Sequence, residues 1–213
     1  RLCSGLSTLC AGFALQIGHR IAYATDIATG LVQLALLFTL KEAGNFGSNG
    51  GVPLLRRLCT CFRESFAFIR SAKKAFPLML CNSLVGAVDI LLLFFLQAKL
   101  PEKGIPGWAL GPALLLLETG GIVGSRLILK WKGIRYPHLF LLSSLLVLAG
   151  VLMEHSLSYP VMVLGGFIAA MGDDALQVRT NARLQDMFPS RQRATLTSME
   201  SFSFSTVMII LTP

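Results

Sequence analysis

Residues 75–98 read AFPLMLCNSLVGAVDILLLFFLQA, twenty-four positions that carry a single charge, Asp89. A helix crosses the hydrocarbon core of a bilayer in about 20 apolar residues, and a barrel strand in about 10. The run is too long for a strand. Buried in lipid, its backbone must satisfy its own hydrogen bonds, which a helix does. One such run also fits the buried helix of a soluble protein, so the neighbouring sequence decides between the two.

Working outward, the same pattern recurs. Apolar segments cover Leu2–Ile17, Ile21–Leu40, Ala75–Ala98, Trp108–Ser125, Pro137–Met153, Leu157–Gly172 and Ala194–Leu211. The sixth reaches spanning length by running through Asp173 and Asp174 to about Val178. Seven apolar segments in 213 residues leave no room for a soluble core. Composition agrees: the chain is 54% hydrophobic and 14% charged, with a mean hydropathy of +0.66, whereas soluble domains carry about 25% charged residues. The expected fold is all-α, a polytopic helical bundle in a membrane.

The net charge of +8 sits between the apolar runs, which points to anionic lipid headgroups as partners and away from nucleic acid. Lys41, Arg56, Arg57, Arg63, Arg70, Lys73 and Lys74 crowd the connection before residue 75. Arg126, Lys130, Lys132 and Arg135 follow the fourth segment, and Arg179, Arg183, Arg191 and Arg193 follow the sixth. The connections between carry few basic residues or none. Dense basic loops face the cytoplasm, so every second loop is assigned to that side. The chain is expected in the cell membrane as a multi-pass protein, in the inner membrane if the cell has two.

The connection 41–74 has two parts. Gly44–Gly51 is rich in Gly, Asn and Ser and reads as a flexible link. Beyond Pro53, Leu55, Leu58, Phe62, Phe66 and Ile69 recur at helical spacing among arginines, a basic amphipathic helix suited to the inner leaflet. Small residues mark close helix contacts: Gly120, Gly121 and Gly124, then Gly165, Gly166, Ala169, Ala170 and Gly172.

Acids inside apolar segments are costly and usually face the bundle interior, so Asp26, Asp89, Glu118 and Glu200 are the first candidates for a proton or substrate-cation pathway. Asp89 and Glu118 fall near the middle of their segments. Asp173 and Asp174 are adjacent, so a helix points them about 100° apart; together they do not make one paired-carboxylate site. Gln177 and Asn181 follow an acid at helical spacing and are expected to line an inner vestibule with it. No phosphate loop, zinc motif or nucleophile elbow occurs, and Cys59 and Cys61 have no second pair or nearby His. Neither a metal nor a cofactor is expected.

Two stretches carry a family resemblance. Gly120-Gly121-Ile122-Val123-Gly124-Ser125-Arg126, with Lys130, Lys132, Gly133 and Arg135, resembles the loop motif between the eighth and ninth helices of major facilitator superfamily transporters. The acid that often precedes the first basic residue there is Ser125 here. Asn181–Thr195, continuing through Ser198, Met199, Glu200 and Ser201, resembles the tenth-to-eleventh helix connection of prokaryotic efflux carriers. The resemblance implies a partial bundle. Residues 1–40 would be the last two helices of the N-terminal half, 41–74 the central cytoplasmic loop, and 75–213 most of the C-terminal half. Arg1 in place of Met, and an end within an apolar run, lead to the same expectation of an internal piece, which would lack transport by itself and whose partners would include the missing helices. Gly121, Gly124, Arg126, Gly133, Arg135, Arg183, Arg191 and Arg193 would serve gating and helix packing.

The function so implied is secondary transport of a small solute by alternating access, coupled to protons and directed outward, and not an enzymatic reaction. Two other classes fit an all-helical membrane chain. An intramembrane lipid-modifying enzyme would need clustered polar residues at one interface, for which only Asp173–Asn181 comes near. A scaffold or receptor would have no use for Asp89 and Glu118 beyond stability.

Overall fold

The computed structural model describes residues 19–39, 75–131, 133–187 and 193–212, together with seven helical positions within 56–67. The helices are α1 (His19–Thr39), α2 (Ala75–Glu102), α3 (Gly107–Lys130), α4 (Tyr136–Glu154), α5 (Tyr159–Met187) and α6 (Arg193–Leu211). Among the described residues, α2, α3, α4 and α5 are long and apolar enough to cross a membrane. The protein is an all-α, multi-pass membrane bundle, an architecture consistent with a plasma or bacterial inner membrane. The segment Leu2–Ile17, the link 44–51 and Arg191 lie outside the described residues. So do Leu55, Leu58 and Ile69 of the expected amphipathic helix, while Arg56, Phe62, Arg63 and Phe66 are helical and exposed.

The bundle encloses acids and turns many apolar side chains outward. Asp89, Glu118, Asp173, Asp174 and Glu154 are buried, while Phe94, Phe95, Leu141, Leu145, Leu148 and Leu152 face outward. Lipid tails solvate leucine as well as another leucine does, so apolar area does not drive these helices together; packing and internal hydrogen bonds do. On α4 the sorting follows helical spacing. Leu139, Ser143, Val147, Gly150 and Glu154 are buried, and the leucines between them are not.

α5 is the axis, packed against α2, α3 and α4. Its glycines and alanines serve two faces. A β-carbon at Gly120 would overlap the Phe167 carbonyl, and one at Gly124 would overlap the Met171 carbonyl, so the α3 and α5 backbones touch along one ridge. Across α5, a β-carbon at Gly165 would come within 2.7 Å of Met153 Cβ and 3.0 Å of the Gly150 carbonyl on α4. Around this axis Leu92, Leu96, Leu117, Leu139 and Leu176 form the main apolar cluster. A second cluster, Ala75, Met79, Leu184 and Leu196, ties α2, α5 and α6 at the end where the basic connections lie.

α5 corrects the expected boundary. The helix does not stop near Val178 but runs to Met187, about two and a half turns further. Arg179 and Arg183 are therefore helical, not loop residues. Asp173 and Asp174 stand at its middle and not at a cytoplasmic tip. No Gly or Pro interrupts residues 175–187, and Pro189 is the first breaker, so polar but helix-compatible residues extend the helix past the apolar run. α2 likewise takes in Lys99 and ends at Glu102.

The α2–α3 turn explains that stop. Gly104 adopts φ +83°, its N–H donates to the Pro101 carbonyl (3.1 Å), and the Ile105 N–H donates to that of Leu100 (3.3 Å). This is a Schellman cap, with Gly at the left-handed position and an apolar pair, Ile105 and Leu100, buried beneath it. Pro106 then sets the entry to α3.

Gly124→Val should separate α3 from α5 and lower stability by about 1–3 kcal/mol or more, as overpacking does. Gly30→Ala on α1, where nothing lies within 4 Å, should cost nothing. Thermal unfolding of the purified variants in detergent checks both.

Candidate functional site

The bundle holds three polar regions at successive depths. At its middle, Asp89 of α2 and Glu118 of α3 line one cavity with Leu92, Leu96, Leu117, Gly166 and Ala170. Each acid is 6% exposed. The water-accessible volume is about 10 Å³, close to the least that holds one water. The opening exists because α5 has Gly166 and Ala170 there; Leu117 and Leu96 already crowd the place where a β-carbon of Gly166 would stand. Two carboxyls from different helices thus share one small apolar chamber, an arrangement able to hold a proton or a small cation away from bulk water.

Toward the basic end, a polar cavity of about 240 Å³ lies between α2, α5 and α6, lined by Asn82, Gly86, Ile90, Asp173, Gln177 and Phe204. The missing side chain of Gly86 leaves Asp173 room: a β-carbon there would sit 3.3 Å from Asp173 Oδ1. Asn82 Nδ2 donates to Glu200 Oε1 of α6 (3.3 Å). Asp173 thus faces α2, with Gln177 one turn on. Asn181 is exposed.

At the basic end itself, Pro77, Leu78, Cys81, Tyr136, Arg183, Asp186 and Met187 line a cavity of about 540 Å³. The Arg183 guanidinium lies over the Tyr136 ring, 5.1 Å from its centre. The Thr180 hydroxyl donates to the Leu176 carbonyl (2.8 Å). Its proton is therefore committed, and Tyr136 is the donor in the buried 2.9 Å bond between their hydroxyls. At the opposite end, Lys99 Nζ meets the buried Glu154 Oε1 at 2.6 Å. That pair joins α2 and α4 at the end away from the basic connections.

The remaining sequence candidates are dispersed. Asp26 is exposed on α1. Gly121 is buried in α3, whereas Arg126, Gly133 and Arg135 are exposed at or beyond its end. Arg193 opens α6 and donates to the Gln185 carbonyl (3.3 Å). Sequence reading passed over Asn82, Tyr136 and Glu154. An amide in a 24-residue apolar run was a usable signal for the first. An acid closing an apolar segment that follows a lysine at the same membrane face was one for the last.

Compared with protein-family models, curated proteins and solved structures, the chain matches none of them.

Tyr136→Phe should remove the bond to Thr180 while keeping the ring under Arg183, at a cost of about 1 kcal/mol. Tyr136→Leu should cost more, since the cation–π contact goes too. Denaturant titration in detergent micelles separates the two.

Proposed function

We propose that this chain belongs to a secondary transporter of the major facilitator type, moving a small solute by alternating access and coupling that movement to protons. The observation that carries the reading is the shared chamber of Asp89 and Glu118 at mid-bundle. Ionisable side chains enclosed within membrane segments mark ion and proton pathways. Alternate exposure of such a group to the two sides would move one proton per cycle.

Two further features support the reading. The helices alternate direction with basic ends on one side, in the order the transporter resemblance implies. α5 meets α3 and α4 through surfaces nearly free of side chains at Gly120, Gly124, Gly150 and Gly165, which suits helices that shift against each other. In this reading residues 1–40 close one half of the carrier, 41–74 link the halves across the inner leaflet, and 75–213 supply most of the other half. In this reading the carrier moves its solute without transforming it. Asp89 and Glu118 hold the coupling proton, and Arg183, Arg191 and Arg193 belong to the cytoplasmic gate.

The test is proton flux in proteoliposomes holding the full-length protein and a pH-sensitive dye, with a panel of solutes added outside. Some solute should drive proton movement, and Asp89→Asn and Glu118→Gln should each reduce it to the level of empty liposomes. Coupling unchanged in both variants would remove the assignment.

A further inference from the structure

The cavity of about 540 Å³ at the basic end, between the start of α2, the start of α4 and the end of α5, carries charges of both signs. Its two charged residues, Arg183 and Asp186, are both exposed. Among the described residues, neither has an ion-pair partner. The Tyr136 ring takes the face of the Arg183 guanidinium and leaves the N–H groups at its edge unspent. That ring is itself fixed, because Tyr136 is buried and its hydroxyl is committed to Thr180. A positioned guanidinium thus borders open space with its donors unused.

Asp186 follows Arg183 by three residues, so the two share a face of α5 about 4.5 Å apart along its axis. An anion alone would meet Arg183 and be repelled by Asp186, and a cation alone would meet the reverse. One molecule carrying both charges on a short linker answers both. Most of the remaining lining is apolar. Pro77, Leu78 and Met187 offer carbon surface, and the Cys81 thiol, a weak hydrogen-bonding group, lies one turn deeper along α2. Depth completes the description. The cavity sits where α2 begins and where α5 has left its apolar run, among the basic connections, which is the level of lipid headgroups. We propose that this cavity binds a phospholipid whose headgroup bears a primary ammonium. Its phosphate meets the N–H edge of Arg183, its ammonium meets the Asp186 carboxylate, and an acyl chain starts along Pro77, Leu78 and Met187 toward Cys81. The site stands whether or not the chain carries a solute across the membrane.

The nearby arginines would favour an anionic lipid on charge alone, so the test sets headgroups against each other. Full-length protein in detergent micelles is titrated with phosphatidylethanolamine, phosphatidylcholine and phosphatidylglycerol of identical acyl chains, and bound lipid is counted by native mass spectrometry. Phosphatidylcholine keeps the cationic charge without an N–H, and phosphatidylglycerol lacks the ammonium. Phosphatidylethanolamine should bind at least about tenfold more tightly than either, the margin expected for a hydrogen bond to a charged group. Asp186→Asn should erase its preference over phosphatidylglycerol. Arg183→Gln should weaken its binding by about tenfold, while Glu102→Gln, at the far end of α2, should not. Soluble phosphoethanolamine, the headgroup without chains, should fail to displace the lipid. Gel filtration and circular dichroism establish that each variant is folded. Equal binding of the three lipids overturns the site, as does a preference kept in folded Asp186→Asn or full affinity in folded Arg183→Gln. Displacement by phosphoethanolamine overturns the assignment to a lipid.

Discussion

Backbone meets backbone where α3 crosses α5, at Gly120 against Phe167 and Gly124 against Met171, and the interior of the bundle is arranged around that approach. In lipid, helices gain little by hiding leucine. They gain by dense packing and by giving polar groups a place away from hydrocarbon. Glycines on α3 bring the backbones together, and glycines and alanines on α5 do the same toward α4. The acids then find themselves between helices. Asp89 and Glu118 share a chamber only because α5 presents Gly166 and Ala170 there. Asp173 has its cavity only because α2 presents Gly86.

The same logic accounts for what could be read from the chain. α2, α3 and α4 were legible because each is an apolar run of spanning length, bounded by charges or Pro. The burial of Asp89, Glu118, Asp173 and Asp174 was legible because a bilayer leaves an acid no other lodging. α5 was misjudged in length. Hydropathy measures how long a segment is apolar, whereas a helix ends where its backbone must, and from 175 to 187 nothing compels an end. The extra turns carry Thr180 and Arg183 to Tyr136, a meeting 44 residues apart that no local pattern contains.

The site was half legible. That acids matter could be seen; how they are grouped could not. Asp89 and Glu118 fall together because α2 and α3 are an antiparallel hairpin whose midpoints coincide. Asp173 lines a different cavity with Asn82, which in turn donates to Glu200. Asn82 escaped notice because a single amide in an apolar run reads as a packing residue. Its bond to Glu200 joins two helices and belongs to no one segment.

The ion pair between Lys99 and Glu154 has a temporal side. Lys99 is 55 positions ahead of Glu154, so on a growing chain the lysine is made well before its partner. Its long side chain can reach the headgroups in the interval. The pair closes only once α4 has inserted with the correct orientation and come to rest beside α2. A chain that inserted α4 upside down would leave the two charges stranded at opposite faces of the bilayer.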